Sequence, residues 1–262
     1  MIDLRFGDAL ELMKQIPDNS IDCVVTDCPY RIVAGGVSLK REDSPSGCLN
    51  RKYVSDGTRC SNKWIKKDMN DVPSACRQGK MFLHNDMEFE DWLPDLFRVL
   101  KNGTHCYIMI NDRNLKELQQ KAEDVGFKFV NLLVWKKNNA TPNKFYMKSM
   151  EFILMLRKGG ERYINNMGTS NFLDIPNIIG SKLHPTEKPV ELMQILIENS
   201  TNVGETVLDP FAGSGSTGVA CKLLNRDFIG MEIDEKYYNI AKDRLNGVYQ
   251  KEVNLDSSPL FN

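Results

Sequence analysis

The sequence predicts an α/β fold built on a largely parallel, twisted sheet with helices on both faces. Strand and helix patterns alternate along most of the chain, which is typical of a parallel sheet covered by helices. The clearest part is a β-α-β-α unit over residues 206–247, where a glycine-rich turn joins the first strand to its helix. With 262 residues the chain can bury a sizeable core, and we expect a single domain over residues 1–262.

Hydrophobic periodicity places the elements in order. "GDALELMKQIP" predicts a short helix that is capped near Asp8 and ends before Pro17, and "SIDCVVTD" predicts a buried strand. After residue 80 we expect the helix "DMEFEDWLPDLFRVLKNG", the strand "THCYIMIN", the helix "NLKELQQKAEDVGF" and the strands "KFVNLLVWKK" and "EFILMLRKG". The last third predicts the helix "KPVELMQILIENST", the strand "ETVLDPF", the helix "VACKLLN", the strand "DFIGMEI" and the helix "EKYYNIAKDRLNG".

Residues 31–80 lack sustained periodicity, which is typical of a functional loop or a flexible flap in a compact domain. The formal net charge is only −1, but it is unevenly spread. Nine basic and three acidic residues lie between Arg31 and Lys67, and seven basic and two acidic residues lie between Lys136 and Arg162. Both stretches suit a polyanion, although a solvated surface is the competing interpretation.

The seven cysteines are an odd number and are scattered, which indicates reduced thiols of an intracellular protein. Cys48, Cys60 and Cys76 lack CxxC spacing, so we expect no metal site. No apolar run reaches the length that spans a membrane, and the start of the chain does not resemble a signal peptide. We therefore expect a soluble, cytoplasmic protein without membrane contact.

Three glycines, Gly213, Gly215 and Gly218, stand in G-x-G-x-x-G spacing between a predicted strand and helix, and Glu232 follows at the end of the next strand. This pattern is typical of a nucleotide-shaped cofactor, although a tight turn without a ligand gives the same spacing. Asp209 places a carboxylate before the glycines, where it would repel a pyrophosphate and attract a cation. This favours S-adenosylmethionine, with its sulfonium and ammonium groups, over NAD.

The segments "VLDPFAGSGSTGVA", "FIGMEIDEKYYNIAKDRL" and "HPTEKPVELM" resemble the cofactor half of the amino-directed DNA methyltransferases. "DCPY", at Asp27 to Tyr30, resembles their catalytic (D/N/S)PP(Y/F/W) motif. It precedes the glycine turn, which is the circularly permuted, β-group order. The resemblance covers about two thirds of the chain and implies a Rossmann-like methyltransferase fold with a small inserted DNA-recognition region.

The resemblance also implies a set of residues that bind S-adenosylmethionine. Glu232 would hold the ribose, Asp8 with the amide of Ala9 would read the adenine, and Thr186 with Lys188 would help to fix the cofactor's carboxylate. A plain helix cap is the competing interpretation of Asp8. The full cofactor set is Asp8, Ala9, Asp27, Thr186, Lys188, Asp209, Phe211, Gly213, Gly215, Ser216 and Glu232.

The catalytic set implied by the resemblance is Asp27, Cys28, Pro29 and Tyr30. The Asp27 carboxylate and the Cys28 carbonyl would accept the two hydrogens of a target amine and so localise its lone pair on nitrogen. Pro29 would stiffen the turn, and the Tyr30 ring would stack on a flipped base. The family usually has Pro at the position of Cys28, and this difference preserves the chemistry if only the carbonyl acts.

Cys28 raises a second interpretation, a nucleophile that attacks cytosine as in the C5-methyltransferases. Those enzymes carry a Pro-Cys pair after the glycine turn, whereas the pair here is Cys-Pro and precedes it. This order argues against a nucleophilic Cys28.

Double-stranded DNA is the expected partner. We expect the basic loop of residues 31–80 to clamp the phosphates while a base is extruded, and residues 136–182 to hold the target-recognition region. The candidate DNA-binding residues are Arg31, Lys40, Arg41, Lys136, Lys137, Asn138, Lys144 and Tyr146. A cognate restriction endonuclease and a homodimer are left open.

The sequence therefore predicts an S-adenosylmethionine-dependent DNA methyltransferase that acts on the N6 amine of a flipped adenine. Asp at the first position of the tetrad favours adenine, since the cytosine-N4 enzymes more often resemble a Ser-Pro-Pro pattern. Three alternatives stay open: cytosine-N4 methylation, a catalytically silent DNA-binding subunit, and an NAD dehydrogenase. Asp209 and the lack of an evident hydride-transfer constellation argue against the last.

Overall fold

The computed structural model describes residues 1–29, 87–141, 145–180 and 182–247. The chain divides into two compact units, one formed by Met1–Cys28, Phe89–Thr141 and Lys148–Asn262, and the other by Pro29–Glu88 and Pro142–Met147. Most of the second unit, including the predicted clamping loop, lies outside the described residues. The single domain predicted from the sequence therefore stays a prediction.

All the strands and helices described below belong to the first unit. The strands are β1 Ile2–Phe6, β2 Ile21–Asp27, β3 Leu100–Ile110, β4 Lys128–Thr141, β5 Lys148–Arg157, β6 Phe172–Asp174, β7 Thr206–Asp209 and β8 Asp227–Glu232. The helices are α1 Ala9–Met13, α2 Phe89–Val99, α3 Leu115–Val125, α4 Val190–Ser200, α5 Ser216–Leu223 and α6 Glu235–Leu245.

The eight strands form one sheet in the order β1-β8-β7-β2-β3-β5-β4-β6. Neighbouring strands are parallel except where β5 runs against β3 and β4. The predicted largely parallel sheet is confirmed. One reversed strand interrupts an otherwise parallel sheet, as in the Rossmann-like methyltransferase fold that the resemblance implies.

Helices cover both faces of the sheet, as predicted. Alternate residues of β2 point to opposite faces, and Cys23 and Val25 belong to a core cluster that also contains Leu196 of α4, Ala220 of α5 and Leu245 of α6. On the other side, α2 contacts both α1 and α3. Buried residues outside that cluster include Val24 of β2, Leu93 of α2 and Leu118 of α3.

Some boundaries differ from those predicted. Helix α2 ends at Val99 and strand β3 begins at Leu100, so "LKNG" is strand rather than the end of the helix. Strand β4 continues to Thr141, four residues beyond Lys137, where the predicted strand ends. The short strand β6 was not predicted, because three residues are too few to show a period of two.

Candidate active site

Three predicted carboxylates stand at the ends of three neighbouring strands. Strands β8, β7 and β2 are adjacent and parallel, and they end at Glu232, Asp209 and Asp27. Because the carboxyl ends of parallel strands meet at one edge of a sheet, the fold brings these side chains to the same edge, where open α/β sheets bind their ligands. The predicted grouping of these three residues is therefore present.

Asp209 is almost completely buried and its carboxylate accepts hydrogen bonds from within the protein. The hydroxyl of Thr26 donates to Oδ1 at 2.8 Å, that of Thr217 donates to Oδ2 at 2.6 Å, and the amide of Phe211 donates to Oδ1 at 3.2 Å. Burial raises the pKa of Asp209 to about 6 although these donors oppose the rise. The carboxylate thus joins β2, the turn after β7 and helix α5. Its direct contact with the cofactor stays a prediction.

The glycine turn has the conformation that its sequence requires. Gly213 and Gly215 have φ of 53° and 81°, in the left-handed region that favours glycine. A Cβ at Gly215 would lie 3.0 Å from the Cβ of Ala241 in helix α6, which is tighter than ordinary packing allows. Gly215 therefore serves both the turn and the close approach of α6. Ser216, also in the predicted cofactor set, is the first residue of α5.

Glu232 is oriented by backbone amides. Its Oε2 accepts from the Gly213 amide at 2.8 Å and its Oε1 accepts from the Asp234 amide at 2.8 Å. Burial raises the pKa of Glu232, and the two amides oppose that rise. A carboxylate has about four lone-pair directions, so one held in this way retains capacity to accept two ribose hydroxyls.

Asp8 caps helix α1 next to this carboxylate. Its Oδ1 accepts from the Leu10 amide at 2.9 Å, which confirms the predicted N-cap. The Gly7 amide donates to the carbonyl of Glu232 at 2.9 Å, so Asp8 follows β1 close to the end of β8. Ala9 is buried in the first turn of α1. The reading of adenine by Asp8 and Ala9 stays a prediction.

The segment before α4 contributes Lys188 to the same edge of the sheet. Its Nζ donates to Asp27 Oδ2 at 2.5 Å and to the carbonyl of Thr186 at 3.2 Å, and it lies 3.6 Å from Glu151 Oε2. The Thr186 hydroxyl lies 3.0 Å from His184 Nδ1. The predicted contact of Thr186 and Lys188 with the cofactor's carboxylate stays a prediction. In the structure, Lys188 forms an ion pair with Asp27.

The Cys28 thiol is buried beside Asp27. Its Sγ lies 3.6 Å from the carbonyl of Met109, and burial raises the pKa of the thiol well above its usual range. A thiol in such surroundings stays protonated and is a poor nucleophile. Pro29 begins the second unit, and Tyr30 lies outside the described residues.

The donor and acceptor set fits S-adenosylmethionine. The ends of β1, β2, β7 and β8 bring four acidic residues to one edge of the sheet: Asp8, Asp27, Asp209 and Glu232. An acidic edge suits a cation that carries ribose hydroxyls, whereas it would repel a pyrophosphate. In the turn between β7 and α5, a Cβ added at Gly213 would have the His184 ring as its nearest neighbour, at 3.9 Å, so the backbone there can be approached closely.

A family model described as DNA methylase, of the N6/N4 type, matches residues 21–175 and 165–243. The chain belongs to this DNA methylase family. It is thus a DNA methyltransferase that takes its methyl group from S-adenosylmethionine and acts on DNA. The dehydrogenase interpretation is thereby excluded.

Relatives and solved structures agree with this assignment. The chain is 28% identical to Type II methyltransferase M2.MboI of Moraxella bovis, over 92% of this chain and 86% of that protein. The crystal structure of the M1.HpyAVI-SAM complex superposes with a TM-score of 0.63 at 24% identity, over 94% of this chain and 100% of that one. The cytosine-N4-specific PvuII DNA methyltransferase superposes with a TM-score of 0.64 at 16% identity, over 98% and 88% of the two chains. Since the last is an N4 enzyme, the fold of this DNA methylase does not distinguish adenine from cytosine.

The predicted DNA-binding residues of this methylase fall into different settings. Lys136 keeps 45% of its side-chain surface exposed and pairs with Asp174 at 2.6 Å, whereas Lys137 keeps only 10% and pairs with Glu151 at 2.8 Å. Asn138 Oδ1 accepts from the amide of Asn177 at 3.0 Å. Tyr146 is exposed and belongs to the second unit. Lying outside the described residues are Arg31, Lys40, Arg41 and Lys144.

Several residues at the site carry no sequence signal. Glu151 stands in a hydrophobic strand without a motif, and Arg244 lies late in an amphipathic helix. Trp92 is buried in α2 and packs edge-on against Phe211, with 5.5 Å between ring centroids. Each acts across a long sequence separation, which periodicity and motif spacing do not encode.

Among the residues that the structure describes, we find no helix with the length and apolar character of a membrane span.

Proposed function

We propose that this DNA methylase transfers the methyl group to the N6 amine of adenine, with Asp27 as the group that accepts from that amine. The observation that carries this proposal is the position of Asp27 at the end of β2, at the same edge as Asp209 and Glu232. Its side chain keeps 22% of its surface exposed, so a substrate group can reach it. Lys188 occupies one acceptor direction of the carboxylate and leaves others for the amine.

The chemistry follows from the weakness of the nucleophile. The lone pair of an adenine amine is delocalised into the ring, and hydrogen-bond acceptors for both amino hydrogens draw the nitrogen toward tetrahedral geometry. The Asp27 carboxylate would accept a hydrogen bond from one amino hydrogen, and the carbonyl of Cys28 would accept one from the other. S-adenosylmethionine supplies an electrophilic methyl group on a positive sulfur. The N–C bond would form as the S–C bond breaks, the sulfur would leave as a neutral thioether, and the methylated amine would then release one proton to the Asp27 carboxylate, which would pass it to solvent.

Adenine is preferred over cytosine because the tetrad begins with Asp27 rather than Ser. This preference rests on the resemblance of the tetrad to the family's catalytic motif, since the cytosine-N4 enzymes more often resemble a Ser-Pro-Pro pattern, and cytosine-N4 methylation is the second candidate. Tyr30, the loop of residues 31–80 and the region of residues 136–182 would stack the flipped base, clamp the phosphates and read the sequence. The similarity to a Type II methyltransferase also leads us to propose a cognate restriction endonuclease. A homodimer and a cytoplasmic location stay predictions from the sequence.

The product nucleoside tests this proposal. Unmethylated double-stranded DNA is incubated with the protein and S-adenosylmethionine labelled in its methyl group, then digested to nucleosides and separated. We expect the label in N6-methyladenine. Label in N4-methylcytosine would assign the second candidate, and no label in any base would support the catalytically silent DNA-binding subunit. The Asp27→Ala variant, which should give no labelled nucleoside, provides the background.

A further inference from the structure

Four charged side chains form a cluster that includes the proposed catalytic carboxylate. Lys188 Nζ lies 2.5 Å from Asp27 Oδ2 and 3.6 Å from Glu151 Oε2, and Lys137 Nζ lies 2.8 Å from Glu151 Oε1. We name these residues the charge cluster: Asp27, Lys137, Glu151 and Lys188. They come from the end of β2, from β4, from β5 and from the segment before α4. The cluster has two positive and two negative groups and so is neutral as a whole.

The two lysines of the cluster are poorly solvated, which strengthens their attraction to the carboxylates. Lys188 keeps 8% of its side-chain surface exposed and Lys137 keeps 10%. A buried ammonium is unfavourable unless it is paired. Lys188 is therefore held between two carboxylates, and Asp27 receives a fixed positive neighbour on its Oδ2 side.

We propose that Lys188 is a positioning residue for methyl transfer that keeps Asp27 ionised and oriented toward the target amine, and that Glu151 sets how strongly it does so. This inference rests on the catalytic role proposed for Asp27. A protonated Asp27 would present an O–H where the amine needs an acceptor, and activity would fall. Glu151 competes with Asp27 for the same ammonium, and Lys137 in turn takes up part of the charge of Glu151.

The electrostatics around Asp27 are consistent with this arrangement. Burial holds the pKa of Asp27 above its usual value; Lys188 opposes this rise and Glu151 adds to it. For Lys188, burial lowers the pKa, and the attraction of Asp27 and Glu151 outweighs this so that the pKa lies above its usual value. Asp209 is a further acidic neighbour of Asp27. The positive charge of Lys188 lowers the pKa of both Lys182 and His184 nearby. The buried thiol of Cys28 adds no charge, because burial keeps it protonated.

Lys188 and Glu151 have opposite effects on the pKa of Asp27, and this difference gives a test of the proposal. Removal of the positive charge in Lys188→Met should raise the pKa of Asp27, whereas removal of the negative charge in Glu151→Gln should lower it. The rate of methyl transfer in a single turnover, at saturating S-adenosylmethionine and DNA, is measured from pH 5 to pH 9. We expect the acidic limb of the profile to move up by about one pH unit in Lys188→Met, a ten-fold change in proton affinity. It should move down in Glu151→Gln.

Matched controls come from an exposed Lys-Glu pair away from the cluster. Lys121 Nζ lies 2.5 Å from Glu90 Oε1 between helices α3 and α2. Lys121→Met and Glu90→Gln should leave the acidic limb where it is in the wild type. Lys188→Arg keeps the positive charge and should bring the limb back toward the wild-type pH. If Lys188→Met does not fold, the isosteric Glu151→Gln variant carries the test alone.

The alternative role of Lys188, contact with the cofactor's carboxylate, predicts a different result. In that case Lys188→Met would weaken the binding of S-adenosylmethionine at least ten-fold, measured by titration calorimetry without DNA, and would leave the acidic limb unmoved. That outcome would overturn our inference, as would limbs that move in the same direction in Lys188→Met and Glu151→Gln. If Asp27→Ala kept its activity, the proposed function would fail, whereas unmoved limbs with an inactive Asp27→Ala would overturn only the role of Lys188.

Discussion

Arg244 and Glu187 form an ion pair with 2.9 Å between Nη1 and Oε1, although their side chains keep only 7% and 1% of their surface exposed. Arg244 Nη1 also donates to the carbonyl of Ser214 at 2.9 Å. Glu187 Oε2 accepts from the amide of Leu183 at 2.6 Å. The pair thus joins helix α6 to the glycine turn and to the segment that carries Lys188.

Breaking this pair should weaken both the fold and the cofactor site. Removal of one partner leaves a buried charge uncompensated, which typically costs about 3–5 kcal/mol. We expect Glu187→Gln to lose stability on this scale in urea denaturation and to bind S-adenosylmethionine more weakly in calorimetry. Arg5→Met, which breaks the more exposed Arg5–Asp3 pair, should lose less than about 1 kcal/mol. A Glu187→Gln variant as stable as Arg5→Met would contradict this account of the pair.

Asp209 should make the stability of the protein depend on pH. Its pKa is raised by burial to about 6, from an ordinary 3.8, so the folded protein binds this proton more readily than the unfolded chain. Above pH 6 the ionised, buried Asp209 therefore destabilises the folded state. Protonation of Asp209 at lower pH removes this destabilisation. Between pH 7 and pH 5 the wild type should gain about 1 kcal/mol of unfolding free energy relative to Asp209→Asn. Urea denaturation at the two pH values measures this, and equal differences at both would show that burial does not perturb Asp209.

The two turn glycines should differ in their tolerance of a side chain. Gly213→Ala places a Cβ in ordinary van der Waals contact with the His184 ring, at 3.9 Å, and bears mainly the conformational cost of about 1–2 kcal/mol. Gly215→Ala bears the same cost and also brings a Cβ to 3.0 Å from that of Ala241. We expect Gly215→Ala to be the less stable of the two variants in thermal denaturation. The reverse order would mean that α6 moves away easily.

The predictable parts of the site are those encoded locally. The cap at Asp8, the glycines at Gly213 and Gly215 and the strand-end positions of Asp27, Asp209 and Glu232 follow from residue type and short-range spacing. The parallel sheet then brings the strand ends together without further information.

The rest depends on contacts between distant parts of the chain. The pairing of Asp27 with Lys188, of Lys188 with Glu151 and of Glu187 with Arg244 arises only once strands and helices have assembled. Lys137 illustrates the difficulty, because in the sequence it belongs to a basic stretch that suits phosphates. In the structure its side chain is mostly buried against Glu151.

We propose that the carboxylate of Asp27, and not the thiol of Cys28, prepares the target amine for methyl transfer. The measurement is the single-turnover rate of methyl transfer to DNA in Asp27→Ala and Cys28→Ala, with folding checked by circular dichroism. Loss of an acceptor at the reacting centre should lower the rate of Asp27→Ala by about 10²–10³-fold or more. Cys28→Ala should stay within a few-fold of the wild type, because only its carbonyl is used. An inactive Cys28→Ala beside an active Asp27→Ala would contradict the account.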